Sequence, residues 1–126
     1  MVAADDTTRS TVLEHIEAFN AHDRGRILAG LHEAVEWATG VDVYRGLASL
    51  ADLFDDGLWA LNPSLRVETL LVEGDIAAAE CVEEITSGAQ VMPFRISVFF
   101  TVRDGLIRRV KVCREGTADL PELCPD

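Results

Sequence analysis

Apolar positions along this chain recur first at spacings of three and four, then at a spacing of two. Val12, His15, Ile16 and Phe19 stand at i, i+3, i+4 and i+7, which predicts an amphipathic helix from about Thr8 to Ala21. Asp23 suits the N-cap of a short second helix carrying Ile27, Leu28 and Leu31. Val35-Glu36-Trp37 is a candidate short strand. After Gly40 to Gly46, the residues Leu47, Leu50, Phe54, Leu58 and Leu61 repeat at helical spacing with Trp59 beside the stripe, and Asn62-Pro63 stops this third helix. Four strands then follow, Leu65 to Glu73, Ile76 to Thr86, Phe94 to Val102 and Leu106 to Cys113, rich in β-branched and aromatic residues. The pattern predicts an α+β chain in which three N-terminal helices pack on a curved, mainly antiparallel sheet.

Period two also singles out one carboxylate. In the second of these strands Ala77, Ala79, Cys81, Glu83 and Ile85 share one face, while Ala78, Glu80, Val82 and Glu84 share the other. Glu83 is thus drawn inward among apolar neighbours, where a carboxylate must be paired, protonated or used. A slip of one residue would turn Glu84 inward instead. The hairpins constrain this further: Glu83 is expected opposite Ile96, Cys81 opposite Val98 and Glu84 opposite Arg95. A three-residue loop, Arg103-Asp104-Gly105, then brings Val110 and Val112 onto the same face, with Glu83, Ile96 and Val112 in one row. Arg95, Arg109 and Lys111 face outward.

Length and charge exclude several classes. The 126 residues suit a single domain, 1–126, with a core at about 8–115 and a tail at 116–126, large enough to bury roughly two thirds of its extended surface. Acids outnumber bases 22 to 11, giving a net charge of -11, which disfavours nucleic acid and anionic membranes. The start lacks the basic and apolar segments of a secretion signal, and no stretch reaches membrane-spanning length, so a cytoplasmic location is expected. Cys81, Cys113 and Cys124 are odd in number and far apart, which suggests free thiols and no zinc site.

Ala18-Phe19-Asn20-Ala21-His22-Asp23, Tyr44-Arg45-Gly46 and Phe99-Phe100-Thr101-Val102-Arg103-Asp104-Gly105-Leu106-Ile107, in this order and spacing, resemble the SnoaL-like group of the nuclear transport factor 2 (NTF2-like) superfamily. The resemblance spans about Thr8 to Glu115. It implies a cone-shaped α+β fold, and a superfamily of isomerases, polyketide cyclases, epoxide hydrolases and non-catalytic modules. The stretch from Val67-Glu68-Thr69 to Glu80-Cys81-Val82-Glu83 is similar to limonene epoxide hydrolase, in which an Asp at the Glu83 position activates water. Its Arg, second Asp, Tyr and Asn correspond here to Cys81, Val112, Glu36 and Ala38. Against ketosteroid isomerase, the oxyanion-binding Tyr falls at His15, the base near Ala38 and the second acid near Val98.

A carboxyl group desolvated at Glu83 would suit a general acid or base near neutral pH. His15, on the apolar stripe of the first helix, is placed to donate to an oxyanion or to orient Glu83. These two are the expected catalytic pair. Glu36, Trp37, Phe54, Leu58, Trp59, Cys81, Phe94, Ile96, Val98, Val110 and Val112 are the expected pocket lining, and no metal or cofactor is called for. The sequence therefore points to a cofactor-free acid/base enzyme for a hydrophobic small molecule, whether isomerase, cyclase or epoxide hydrolase. The alternative is a non-catalytic ligand-binding or assembly module of the same shape. Val82, Phe99 and Cys113 among the outward charges suggest a homodimer through the convex sheet face.

Overall fold

Asp5 and Thr8 carry the first helix beyond the apolar stripe that predicts it. In the computed structural model, which describes residues 4–115, α1 spans Ala4–Asn20. The Asp5 carboxylate accepts from the Gly74 N–H at 2.7 Å, and the Thr8 hydroxyl donates to the Gly74 carbonyl at 2.7 Å. These bonds tie the helix start to a strand turn some 66 residues away. The tail at 116–126, with Cys124, lies outside the described residues.

Asp23 caps α2, Arg24–Ala29, by accepting from the Arg26 N–H. The chain then forms β1, Leu31–Thr39, which is longer than the three residues expected, and turns at Gly40-Val41 into β2, Asp42–Arg45, a strand the sequence pattern did not show. The third helix is not uniform: α3 covers Leu47–Leu53, a π-helical turn Phe54–Leu58 and a 3-10 turn Trp59–Leu61 continue it, and Asn62 ends it in the left-handed region at φ 48°. Four strands follow, β3 Ser64–Glu73, β4 Ile76–Ser87, β5 Gln90–Arg103 and β6 Leu106–Arg114.

The six strands form one mixed sheet in the order β2-β1-β6-β5-β4-β3, with β1 parallel to β6 and the other neighbours antiparallel. Helix α1 packs across β3 to β6, and the core between helix and sheet includes Val12, Ile16, Phe19, Ile27, Val35, Phe54, Phe100 and Ile107. Among the described residues no helix is long and apolar enough to cross a membrane.

The facing of β4 to β6 follows the alternation, but the register differs. Strand β4 runs to a two-residue turn at Gly88-Ala89, so Glu83 lies opposite Phe94 and Cys81 opposite Ile96, two residues from the expected pairing. A slip of two preserves the face. It also places Arg95 opposite Val82, not Glu84, and Arg95 pairs with Glu68 at 3.3 Å. The last hairpin uses a two-residue Asp104-Gly105 turn with both residues at positive φ, 56° and 73°. A bulge restores the parity that such a turn alone would invert: Val102 pairs with Ile107 and Thr101 with Arg109, which leaves Arg108 as the extra residue. Val110 and Val112 therefore face inward as expected, but Val112 sits opposite Val98, and Arg114 takes the place beside Ile96.

Candidate functional site

Strand alternation, helix register and one bidentate side chain together build an apolar cavity of about 140 Å³ between α1, the third helical segment and the sheet face they cover. Helix α1 contributes His15, Ile16 and Phe19, β4 contributes Cys81 and Glu83, β5 contributes Ile96, Val98 and Phe100, and β6 contributes Val110, Val112 and Arg114. Trp37 and Thr39 close one side, Leu53 and Leu58 another. Leu65 joins them because Asn20 grips its backbone: the Asn20 side chain donates to the Leu65 carbonyl at 2.8 Å and accepts from the Leu65 N–H at 2.7 Å.

Glu83 is 7% exposed and faces the cavity, whereas Glu84 is half-buried on the other side of the strand. Its partner is Arg114, whose Nη1 donates to the Glu83 Oε1 at 3.0 Å. Of the three fates open to an inward carboxylate, pairing is the one observed. The Arg114 side chain is 44% exposed, and its guanidinium carbon stands 5.9 Å from the centre of the Phe94 ring. The pair thus lies at the cavity's lip, with one member reaching water.

His15 is buried, its ring tilted on Trp37 at 5.6 Å and edge-on to Phe100 at 5.7 Å between centroids. Its Nδ1 has no hydrogen-bond partner among the described residues. Burial pushes its pKa down from 6.5 to about 4, so the ring is neutral at ordinary pH. Burial likewise raises the Cys81 thiol to about 11, and nearby Glu68 and Glu83 add to that effect. Cys81 is accordingly a small apolar wall residue, not a nucleophile.

Four of the expected lining residues are placed elsewhere. Glu36 turns to the sheet surface, where it pairs with Arg45 at 3.2 Å and with bulge residue Arg108 at 3.3 Å; the bond from Arg45 chiefly holds its carboxyl below the usual range. Phe54 is fully buried behind Trp37, edge-on at 5.9 Å, and Trp59 stacks on Phe54 and on His22 at 5.2 and 4.8 Å. Both back the wall without forming it, whereas Leu53 and Leu58 of the same helical segment line it. Phe94 lies outside the lip under Arg114 because the register is shifted by two. Trp37, Leu58, Cys81, Ile96, Val98, Val110 and Val112 do line the cavity with Glu83 and His15. Arg114 was missed, standing one residue past the predicted end of the last strand.

Residues 12–110 match the family described as SnoaL-like domain. The chain belongs to the SnoaL-like family. Curated proteins give no match to it. Among solved structures, this SnoaL-like chain is similar to a Kribbella flavida protein named as a candidate ketosteroid isomerase, with TM-score 0.79 and 22% identity over 94% of this chain and 85% of that one. An M. tuberculosis LEH-like epoxide hydrolase superposes with TM-score 0.81 at 17% identity, over 88% of this chain and 84% of that one. TerC, co-crystallised with polyporic acid, gives TM-score 0.78 and 20% identity over 86% of this chain and 92% of that one. At such identities the likeness is one of fold, and fold alone does not fix chemistry.

Proposed function

We propose that this SnoaL-like protein is a cofactor-free acid/base enzyme for a hydrophobic small molecule, with Glu83 moving the proton and His15 assisting. The observation that carries this reading is a buried carboxylate on the wall of an otherwise apolar cavity. A carboxylate there meets a ligand directly, with little water to compete for the proton it moves. His15, neutral and with an unbonded ring nitrogen, adds a hydrogen-bonding group without adding charge. The names of two similar structures, a candidate ketosteroid isomerase and an LEH-like epoxide hydrolase, are compatible with this reading. Association of two copies through the convex sheet face is part of the proposal.

The test is a panel of small cyclic ketones and epoxides incubated with the protein in D2O and followed by NMR for deuterium uptake or ring opening. Glu83→Gln is expected to keep the fold, because Arg114 reaches water once its partner is neutral, and to lower turnover by about 100-fold or more. His15→Phe is expected to lower it less. Turnover unchanged in Glu83→Gln would make the ion pair structural and the catalytic reading wrong. In that event the cavity is a ligand-binding site without chemistry, a second reading favoured by one fact, that Glu83 is already paired.

A further inference from the structure

The size and charge of the cavity narrow the ligand, on the reading of Glu83 as the proton-moving group. Its volume of about 140 Å³ is near the roughly 150 Å³ of an apolar cavity that admits one benzene molecule. A single six-membered ring fills it, and a larger body would extend past the lip at Arg114 toward water.

Charge narrows the choice again. Glu83 and Arg114 balance each other at 3.0 Å, and Arg114 is the one permanent positive charge on the cavity wall among the described residues. His15 is neutral, as is Cys81. A ligand with a permanent negative charge would leave an unbalanced anion against apolar walls, which low-dielectric surroundings penalise. A neutral carbonyl compound avoids that penalty at binding and during reaction. When Glu83 takes a proton from the carbon beside the carbonyl, the C–H bond breaks and an O–H bond forms on the carboxylate. The released electron pair becomes the C=C bond of an enolate, and the carbonyl oxygen gains the negative charge. The anion has moved from Glu83 to the ligand, the total charge is unchanged, and one guanidinium serves both states.

Arg114 has the means to do this. Nη1 donates to Glu83, and the fork of a guanidinium holds five N–H donors at every working pH. We propose that the cavity takes a neutral, single-ring carbonyl compound and that Arg114 is a catalytic residue, receiving the negative charge that develops on its oxygen.

The test reads binding and needs no turnover. Phenol, 3-fluorophenol and 3,5-difluorophenol place one ring and an increasingly acidic oxygen where an enolate would sit, and benzoate supplies a permanent anion. Each is titrated calorimetrically into wild type, Glu83→Gln and the double variant Glu83→Gln/Arg114→Met, which removes both charges together and so buries no unpaired carboxylate. Wild-type affinity is expected to rise along the phenol series, with benzoate binding about tenfold more weakly than phenol. In Glu83→Gln, benzoate should gain about tenfold or more, and in the double variant both effects should vanish.

Flat affinities along the series, benzoate binding wild type as well as phenol, or a benzoate gain that survives loss of Arg114 would each overturn the proposal. So would absence of binding by every single-ring probe. A protein that exchanges deuterium through Glu83 but fails the series keeps the acid/base reading and loses this one. A protein that passes the series yet turns nothing over keeps the charge-receiving site but overturns Arg114 as a catalytic residue, together with Glu83 as a base.

Discussion

At the scale of single residues, His15 gives the site a pH dependence whose sign can be worked out. Its folded pKa, about 4, lies below the unfolded 6.5, so as pH falls through that window the unfolded chain binds the proton first. Stability is lost going down and is fully present above 6.5. The loss is about 1.4 kcal/mol per pH unit and about 3 kcal/mol over the whole window. Carboxylates titrate near its lower end, so the quantity to measure is the difference between wild type and His15→Phe in urea unfolding from pH 7 to pH 4.5. The variant is expected to lose less stability than wild type; equal losses would mean that His15 is not buried neutral. The inward facing of Glu83 was legible in the sequence because one carboxylate stood in an apolar alternation. Its partner was not legible. Arg114 lies beyond the last apolar position of its strand, and its place beside Ile96 depends on the Asp104-Gly105 turn and on the Arg108 bulge, which hydrophobic period does not report.

At the scale of elements, the third helical segment departs most from its sequence pattern. Apolar residues at three and four predict one smooth helix, yet the spacing tolerates the wider π turn at Phe54–Leu58, where Asp55 pairs with Arg24 at 2.8 Å on the surface. The turn puts Leu53 and Leu58 between the cavity and an outer groove lined also by Tyr44, Asp52, Asp56 and Leu61. Those two leucines are the partition. Leu58→Ala is expected to join cavity to groove, speeding ligand entry and exit together, while costing about 1 to 2 kcal/mol because Leu58 is only half-buried. Stopped-flow Trp fluorescence with a single-ring probe checks this; unchanged rates with the expected destabilisation would place the entrance elsewhere. Strand β2 was illegible for a related reason, since Asp42-Val43-Tyr44-Arg45 is short and its pairing with β1 supplies the order that its own sequence lacks.

At the scale of the whole molecule, the outer sheet face poses the question of association. Leu71, Ala78, Phe99 and Lys111 are aligned in one row across β3 to β6, and Leu71 and Phe99 are 66% and 48% exposed. Arg95, Arg109 and Lys111 stand on the same side, a mixture of apolar centre and charge that suits a partly polar interface. Against this works the net charge of -11, which makes two copies repel one another at long range. The bases on the face offset part of that repulsion locally, and salt screens the remainder within about 10 Å at 0.1 M. The proposed homodimer should therefore tighten as salt rises, the reverse of an interface held by opposite charges. Light scattering at tens of micromolar is expected to give about twice the 13.8 kDa chain mass, and Phe99→Asp to return it to one chain. A single-chain mass for wild type at both low and high salt would reject the dimer while leaving the proposed chemistry untouched, because one chain's own strands and helices line the cavity.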